Sequence, residues 1–262
     1  MSATTLQKGR RIIDIDPARL DILNAGYAET TTLTENLAID FVTLLRSVAP
    51  DIGEDAICLM EGEAKSGISK RMALVARFLD ERLKPDALEK LRGHPSDTVR
   101  GWMCFADARR EDMMLGERLA VVRAYADDGH FGVREWAWMA VRPYLAAELD
   151  AAIALLSHWT DDPSGRVRRF ASESIRPRGV WCAHIDALKK NPEKALPVLE
   201  PLRADPAGYV QDSVGNWLND AAKTRTDWVS ELCSRWERES PEKATERIIR
   251  RALRSVGGKT RP

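Results

Sequence analysis

DPSGRVRRFASESIRPRGVW, residues 162–181, decides the fold, because its first half recurs in degraded form three more times. The other copies are HPSDTVRGW at 94–102, DGHFGVREW at 128–136 and DPAGYVQDS at 205–213. With Val99, Val133, Val167 and Val210 superposed, the steps are 34, 34 and 43 residues, as in stacks of helical pairs. In each copy a turn opens onto an apolar-periodic run. Asp128, Asp162 and Asp205 lie five before the valine, and Pro95, Pro163 and Pro206 four before it. Proline near a helix start, beside a polar or acidic cap, reads as the opening of the second helix of a pair. A pair of this length leaves one apolar face bare until a neighbour covers it, so the copies should stack into a curved, all-α helical-repeat solenoid.

The first helices of the pairs are expected at 113–126, 148–159, 192–203 and 226–238, and the second at 98–108, 133–146, 167–175 and 209–223. A closing helix is expected at 241–255, with Ser240 as cap and Pro241 in its first turn. The 43-residue step carries an insertion, RPRGVWCAHI at 176–185, and inserted loops are where solenoids carry function. Upstream, a short helix is expected over Pro17–Leu23 and a helix capped by Thr34 that runs on to Val48. An irregular stretch should follow at 51–68, then a helix over Ser69–Leu83. The chain divides into an acidic N-terminal helical segment (1–64) packed on the solenoid, a repeat domain (65–256) and a flexible basic tail (257–262).

Of the 262 residues 44% are apolar, ample for a continuous core, and 31% are charged, at spacings that suit exposed helix faces. Net charge is zero, but residues 1–64 hold eleven acids against five bases, which leaves the remainder with a surplus of six positive charges. The chain ends on Arg247, Arg250, Arg251, Arg254, Lys259 and Arg261 with no acid after Glu246. Such a tail is either a solvated helix face with a frayed end or a phosphate contact. Cys58, Cys104, Cys182 and Cys233 are far apart and form no CxxC pair, as expected of reduced thiols in a cytoplasmic protein. No run approaches the length of a membrane span, and no histidine set has metal-ligand spacing.

Arg100, Arg134 and Arg168 each follow a repeat valine. For Arg100 and Arg134 the expectation is a ladder of pairs with acids of neighbouring turns. Arg166, Arg168, Arg169, Arg176 and Arg178 are different, because locally they face a single carboxylate, Glu173. Guanidinium groups so crowded repel unless an anion lies among them, and their planar forks match phosphate oxygens. A DNA phosphate contact is expected there. Of the eight tryptophans, Trp102 and Trp136 share one repeat position, which argues packing. Trp138 and Trp217 have no aromatic equivalents and Trp181 sits in the inserted loop; these three are candidates for a site that takes a cationic ligand, with Glu135, Glu173 and Asp220 as nearby acids.

VRRFASESIRPRGVW at 167–181, followed by SVGNWLNDAAKT at 213–224, resembles the DNA alkylation-repair family of HEAT-like repeat glycosylases, its AlkC branch more than its AlkD branch. The resemblance covers 130–225 closely and 70–255 by repeat phase. It implies a HEAT-like helical-repeat solenoid whose concave binding face holds alkylated double-stranded DNA. It also implies a monomeric hydrolase that releases cationic N3- or N7-alkylated purines without a metal or other cofactor, and without a membrane. Family members carry an acid where this chain has Trp138, within WAWMAVRP. Glu135, nearly one turn earlier, is therefore the expected charge-stabilising carboxylate, with Asp220 as the alternative. Trp217 stands one position from the family's tryptophan, which falls at Asn216. The alternative reading is a non-catalytic repeat module that binds unusual DNA structures or a protein.

Overall fold

The computed structural model describes residues 11–256. The proposed tail at 257–262, with Lys259 and Arg261, lies outside the described residues, as do the first ten residues. Sixteen α-helices and four short 3-10 turns make up the described chain, and no strand occurs among the described residues. The helices are α1 (Pro17–Asn24), α2 (Leu33–Ala38), α3 (Phe41–Val48), α4 (Glu54–Gly62), α5 (Ile68–Arg82), α6 (Pro85–Arg92), α7 (Asp97–Ala108) and α8 (Leu115–Ala126). They continue as α9 (Phe131–Ala147), α10 (Leu149–Ser157), α11 (Gly165–Glu173), α12 (Asp186–Lys190), α13 (Leu196–Leu199), α14 (Gly208–Ala222), α15 (Thr226–Glu239) and α16 (Lys243–Ala252). No described helix is long and apolar enough to cross a membrane.

Two compact units divide the chain. Among the described residues one holds 11–112 with 128–140, the other 113–127 with 141–256. In the first, α5 lies against α7, and α3 against α1 and α4. Its N-terminal stretch is tied down by a buried carboxylate. Asp97 accepts the backbone N–H and hydroxyl of Thr30 (2.8 and 3.0 Å) and the amide of Asn36 (3.0 Å). His130 donates from Nε2 to the Thr30 carbonyl (2.7 Å) and accepts the Gly132 N–H at Nδ1 (3.1 Å), so both ring nitrogens have partners. In the second unit α14 is the central helix, against α11, α15 and α16.

The repeat has one geometry. All four repeat valines are fully buried, and Trp102, Trp136 and Phe170 fill the position three further on. At Gly101 a side chain is excluded, since a Cβ there would lie 2.4 Å from the Trp136 ring. Five residues before the valine, a side chain accepts the N–H two residues ahead and shapes the turn: Asp128 from His130, Asp162 from Ser164, Asp205 from Ala207, and His94 from Ser96 in the first copy. The arginine after the valine then closes that same turn. Arg100 Nη1 donates to the carbonyls of His94 and Pro95, Arg134 to Asp128 and Gly129, and Arg168 to Asp162 and Pro163.

The other edge of the guanidinium reaches the next turn. Arg100 forks onto Asp128 (3.0 and 3.2 Å) and Arg168 onto Asp205 (2.6 and 3.0 Å), so the ladder expected at Arg100 includes Arg168. In the last copy Gln211 replaces the arginine, donates to the Asp205 carbonyl and accepts from Arg247.

Several boundaries differ from expectation for local reasons. Thr32, not Thr34, caps α2, and the expected single helix breaks at Ile39 because Asp40 accepts the N–H groups of Val42 and Thr43 and starts α3. The stretch 51–68 contains α4, since its glycines punctuate rather than break it: Gly53 caps the start with φ +95°, Gly62 ends it and Gly67 opens α5. The repeat prolines lie before the caps, not in the first turn, and α16 starts at Lys243, beyond Ser240 and Pro241. The expected helix over 192–203 is reduced to a 3-10 turn and the short α13, as Pro192, Pro197 and Pro201 interrupt it.

Arg168→Met, which keeps the stem and removes the rung, should cost about 2–3 kcal/mol in urea unfolding, the value of charge-assisted hydrogen bonds between part-buried groups.

Candidate nucleic-acid interface

The five arginines of 166–178 do not crowd around Glu173 alone. Carboxylates from remote elements meet them: Asp205 takes Arg168, Asp220 takes Arg176 (Nη2 to Oδ2, 2.6 Å), and Asp127 lies 4.0 Å from Arg166. Repulsion within the cluster is therefore already relieved by the protein. Arg168 and Arg176 are largely buried in these pairs, and Arg169 is buried beside Glu173. Arg166 is exposed, with Nη1 on the Asp127 carbonyl, and Arg178 is half-buried, with Nε on the Asp220 carbonyl at 3.3 Å.

Glu173 is the ionic centre of this region. Arg176 donates to Oε1 (2.8 Å), Arg169 lies 3.5 Å from Oε2, and the Ser213 hydroxyl donates to Oε2 (2.7 Å). Ser213 occupies the repeat position that holds Trp102, Trp136 and Phe170 in the other copies, and the small residue leaves room for the carboxylate. Burial opposes the charge on Glu173, but Arg169, Arg176 and Ser213 outweigh it and hold the carboxyl below its ordinary value. The Tyr209 ring stacks on Arg169, with the guanidinium 4.7 Å from its centroid.

Asp220 joins this centre to the inserted loop. Its Oδ2 accepts from Arg176 Nε and Nη2, its Oδ1 from Lys223 (3.0 Å), and its backbone carbonyl from Arg178. Three residues past Arg178, Trp181 is 46% exposed at φ +59°, the one positive-φ non-glycine among the described residues. A left-handed conformation costs a bulky L-residue roughly 1–2 kcal/mol, so the surroundings must enforce it.

The other two tryptophans differ. Trp217, expected to stack on a base, is fully buried and donates from Nε1 to the Ile175 carbonyl (3.1 Å). Trp138 is 4% exposed and donates from Nε1 to Glu135 Oε2 (2.8 Å), so the structure brings these two candidates together on α9, within the first unit. On α16, Arg247 and Arg251 share Asp212 and reach Gln211 and Asn216, while Arg254 donates to the Arg251 carbonyl. Sequence reasoning missed Ser213 and Tyr209. The interrupted aromatic series at Ser213 was its available signal.

Glu173→Gln should lower stability near neutral pH. Because the folded carboxyl lies below its ordinary 4.5, that stabilisation is complete above this value and is lost as pH falls through the folded pKa. Urea unfolding of parent and variant should therefore converge in acid.

Comparison with known proteins gives these features a context. A family model described as DNA alkylation repair enzyme matches residues 113–255. The Bacillus subtilis (strain 168) protein YhaZ is 40% identical over 117 residues, which is 45% of this chain and 32% of that protein. Among solved structures, Pseudomonas fluorescens alkylpurine DNA glycosylase AlkC bound to DNA containing an abasic site analogue is similar with a TM-score of 0.65 at 26% identity, over 82% of this chain and 60% of that one. AlkD2 from Streptococcus mutans has the same fold, with a TM-score of 0.59 at 20% identity over 78% of this chain and 99% of its own. The chain thus spans about a third of the curated relative and three fifths of the AlkC chain. With more than half of its length matched, it belongs to the DNA alkylation repair enzyme family.

Proposed function

We propose that this chain is a DNA glycosylase that hydrolyses the N-glycosidic bond of cationic N3- or N7-alkylated purines in double-stranded DNA. The observation that carries the reading is the inserted loop within the family-matched segment. It presents an exposed, strained Trp181 three residues from Arg178, which is bonded to Asp220. An aromatic face suits a cationic base. A carboxylate held by Arg176 and Lys223 has little freedom to reorganise as positive charge develops on the sugar, and fixed groups stabilise such charge best.

The reaction needs no protonation of its leaving group. As the bond from C1′ to the purine nitrogen breaks, its electron pair neutralises the cationic base. Water adds at C1′ and releases a proton to solvent. Asp220 is assigned the charge-stabilising role because it belongs to the loop's own cluster. Glu135 is the second candidate, oriented by the Trp138 N–H. Arg166, the exposed one of the five arginines, and Arg178, which bonds the Asp220 backbone carbonyl, are assigned to backbone phosphates, while Arg168, Arg169 and Arg176 hold the frame.

The decisive experiment is incubation with DNA bearing N7-methylguanine or N3-methyladenine, with free base measured over the spontaneous background. Asp220→Asn should cut release by ~10²-fold with affinity for DNA nearly kept. Loss in Glu135→Gln and not in Asp220→Asn moves the role to α9. Arg166→Ala and Arg178→Ala should each weaken binding to any sequence and flatten the salt dependence by roughly one unit per contact. Binding without any release supports the non-catalytic module instead.

A further inference from the structure

The inserted loop has no regular structure between Ser174 and Ile185, yet its backbone is closely accounted for. The Ile175 carbonyl accepts from Trp217, and the Pro177 carbonyl accepts the Ile185 N–H (3.1 Å), which draws the loop's base together. Three further carbonyls are taken by one side chain. Arg142, on α9 and 2% exposed, donates from Nη1 to Ser174 (2.9 Å), from Nη2 to Arg176 (2.6 Å) and from Nε to Ala183 (3.1 Å). Two of these acceptors precede the loop's tip and one follows it, so a single planar guanidinium fixes both limbs.

Burial of this cation is unfavourable and lowers its pKa. Oriented carbonyl dipoles from both limbs offset that cost, and only while the loop keeps its shape. The contact is also close from above. A Cβ at Gly179 would lie 3.2 Å from Cζ and Nε of Arg142 and 2.1 Å from Cys182 Sγ, so residue 179 has no room for a side chain. The chain crosses the guanidinium at Gly179 and turns at once through Val180 and Trp181, which are 54% and 46% exposed, with Trp181 left-handed.

We infer that Arg142 is a positioning residue for Trp181, clamping both limbs of the inserted loop so that the indole is presented outward. Its consequence for catalysis rests on the glycosylase reading; its geometry does not. Lysine at 142 keeps the charge but offers one nitrogen in place of a three-cornered fork, so it cannot bridge the same acceptors.

The test uses the full chain labelled with 5-fluorotryptophan, with Trp181→Phe identifying the Trp181 fluorine signal. In Arg142→Lys that signal should shift or broaden while the other tryptophan signals hold their places. Arg142→Gln, which removes both the fork and the buried charge, should move the same signal, and it carries the test if Arg142→Lys does not fold. Affinity for duplex DNA with an abasic-site analogue should fall ~10-fold in Trp181→Ala. A similar loss is expected in Arg142→Lys and none beyond it in the double variant, because both act through one contact. An unmoved Trp181 signal, or losses that add in the double variant, overturns the inference. A parent that neither binds DNA nor releases alkylated base overturns the glycosylase reading instead, and the fluorine spectra still decide the role of Arg142.

Discussion

The guanidinium one residue past the first three repeat valines, in Arg100, Arg134 and Arg168, is the constraint on which the repeat turns depend. Its position is dictated from below by a fully buried valine, which leaves the next side chain at the helix start beside its own turn. One nitrogen closes that turn by binding two carbonyls, and the opposite edge forks onto the aspartate that shapes the following turn, at Asp128 and again at Asp205. A turn carbonyl and a cap carboxylate would each demand a partner separately. One planar cation serves both, so the local order of a turn and the spacing of successive pairs become a single interaction. Arginine suits the place where lysine would not, because the fork is rigid and bidentate.

That economy explains what could be read from the sequence. The turn aspartates, the valines and the aromatic position recur at fixed offsets, so the fold class and the starts of the second helices were visible in one chain. The partners of Arg168, Arg176 and Arg166 were not. Asp205, Asp220 and Asp127 lie 37, 44 and 39 residues away, and a local count of charges over 164–178 finds only Glu173. Repulsion argued from that count points to an external anion where the protein supplies its own. The same limit hid the burial of Trp217, since one position along a helix turns a residue by about 100° and only the neighbouring helices decide which side is closed.

Net charge misleads for a related reason. A molecule with as many acids as bases gives no overall attraction to a polyanion. Yet many of these carboxylates serve as internal staples: Asp128 and Asp205 between turns, Glu173 and Asp220 beneath the loop, Asp97 under the N-terminal stretch. Their charge is spent on cations or donors fixed beside them. Around the inserted loop and α16, five cations (Arg169, Arg176, Lys223, Arg247 and Arg251) share three carboxylates, Glu173, Asp212 and Asp220, while Arg178 and Arg254 donate to backbone carbonyls. The local surplus, not the balanced total, is what a phosphate backbone would meet.

The inserted loop is where the repeat rules stop, and the physics there is of a different kind. Elsewhere the sequence offers each backbone group a partner in a regular helix or a recurrent turn. Between 174 and 185 the partners are singular: the Trp217 indole, the Ile185 N–H and the buried fork of Arg142. Three donors drawn from α9, α14 and the loop's own end hold a backbone that no periodicity specifies, and at its tip they hold an indole in a conformation that costs energy. A stretch free only to be stable would shed that strain by substituting glycine at 181 or by placing the left-handed turn at Gly179. Instead the glycine is used for close approach to Arg142 and the strain is placed on the tryptophan. Stability alone gives no reason for that exchange. Recognition does, because an outward indole is useful only to a molecule that comes to meet it.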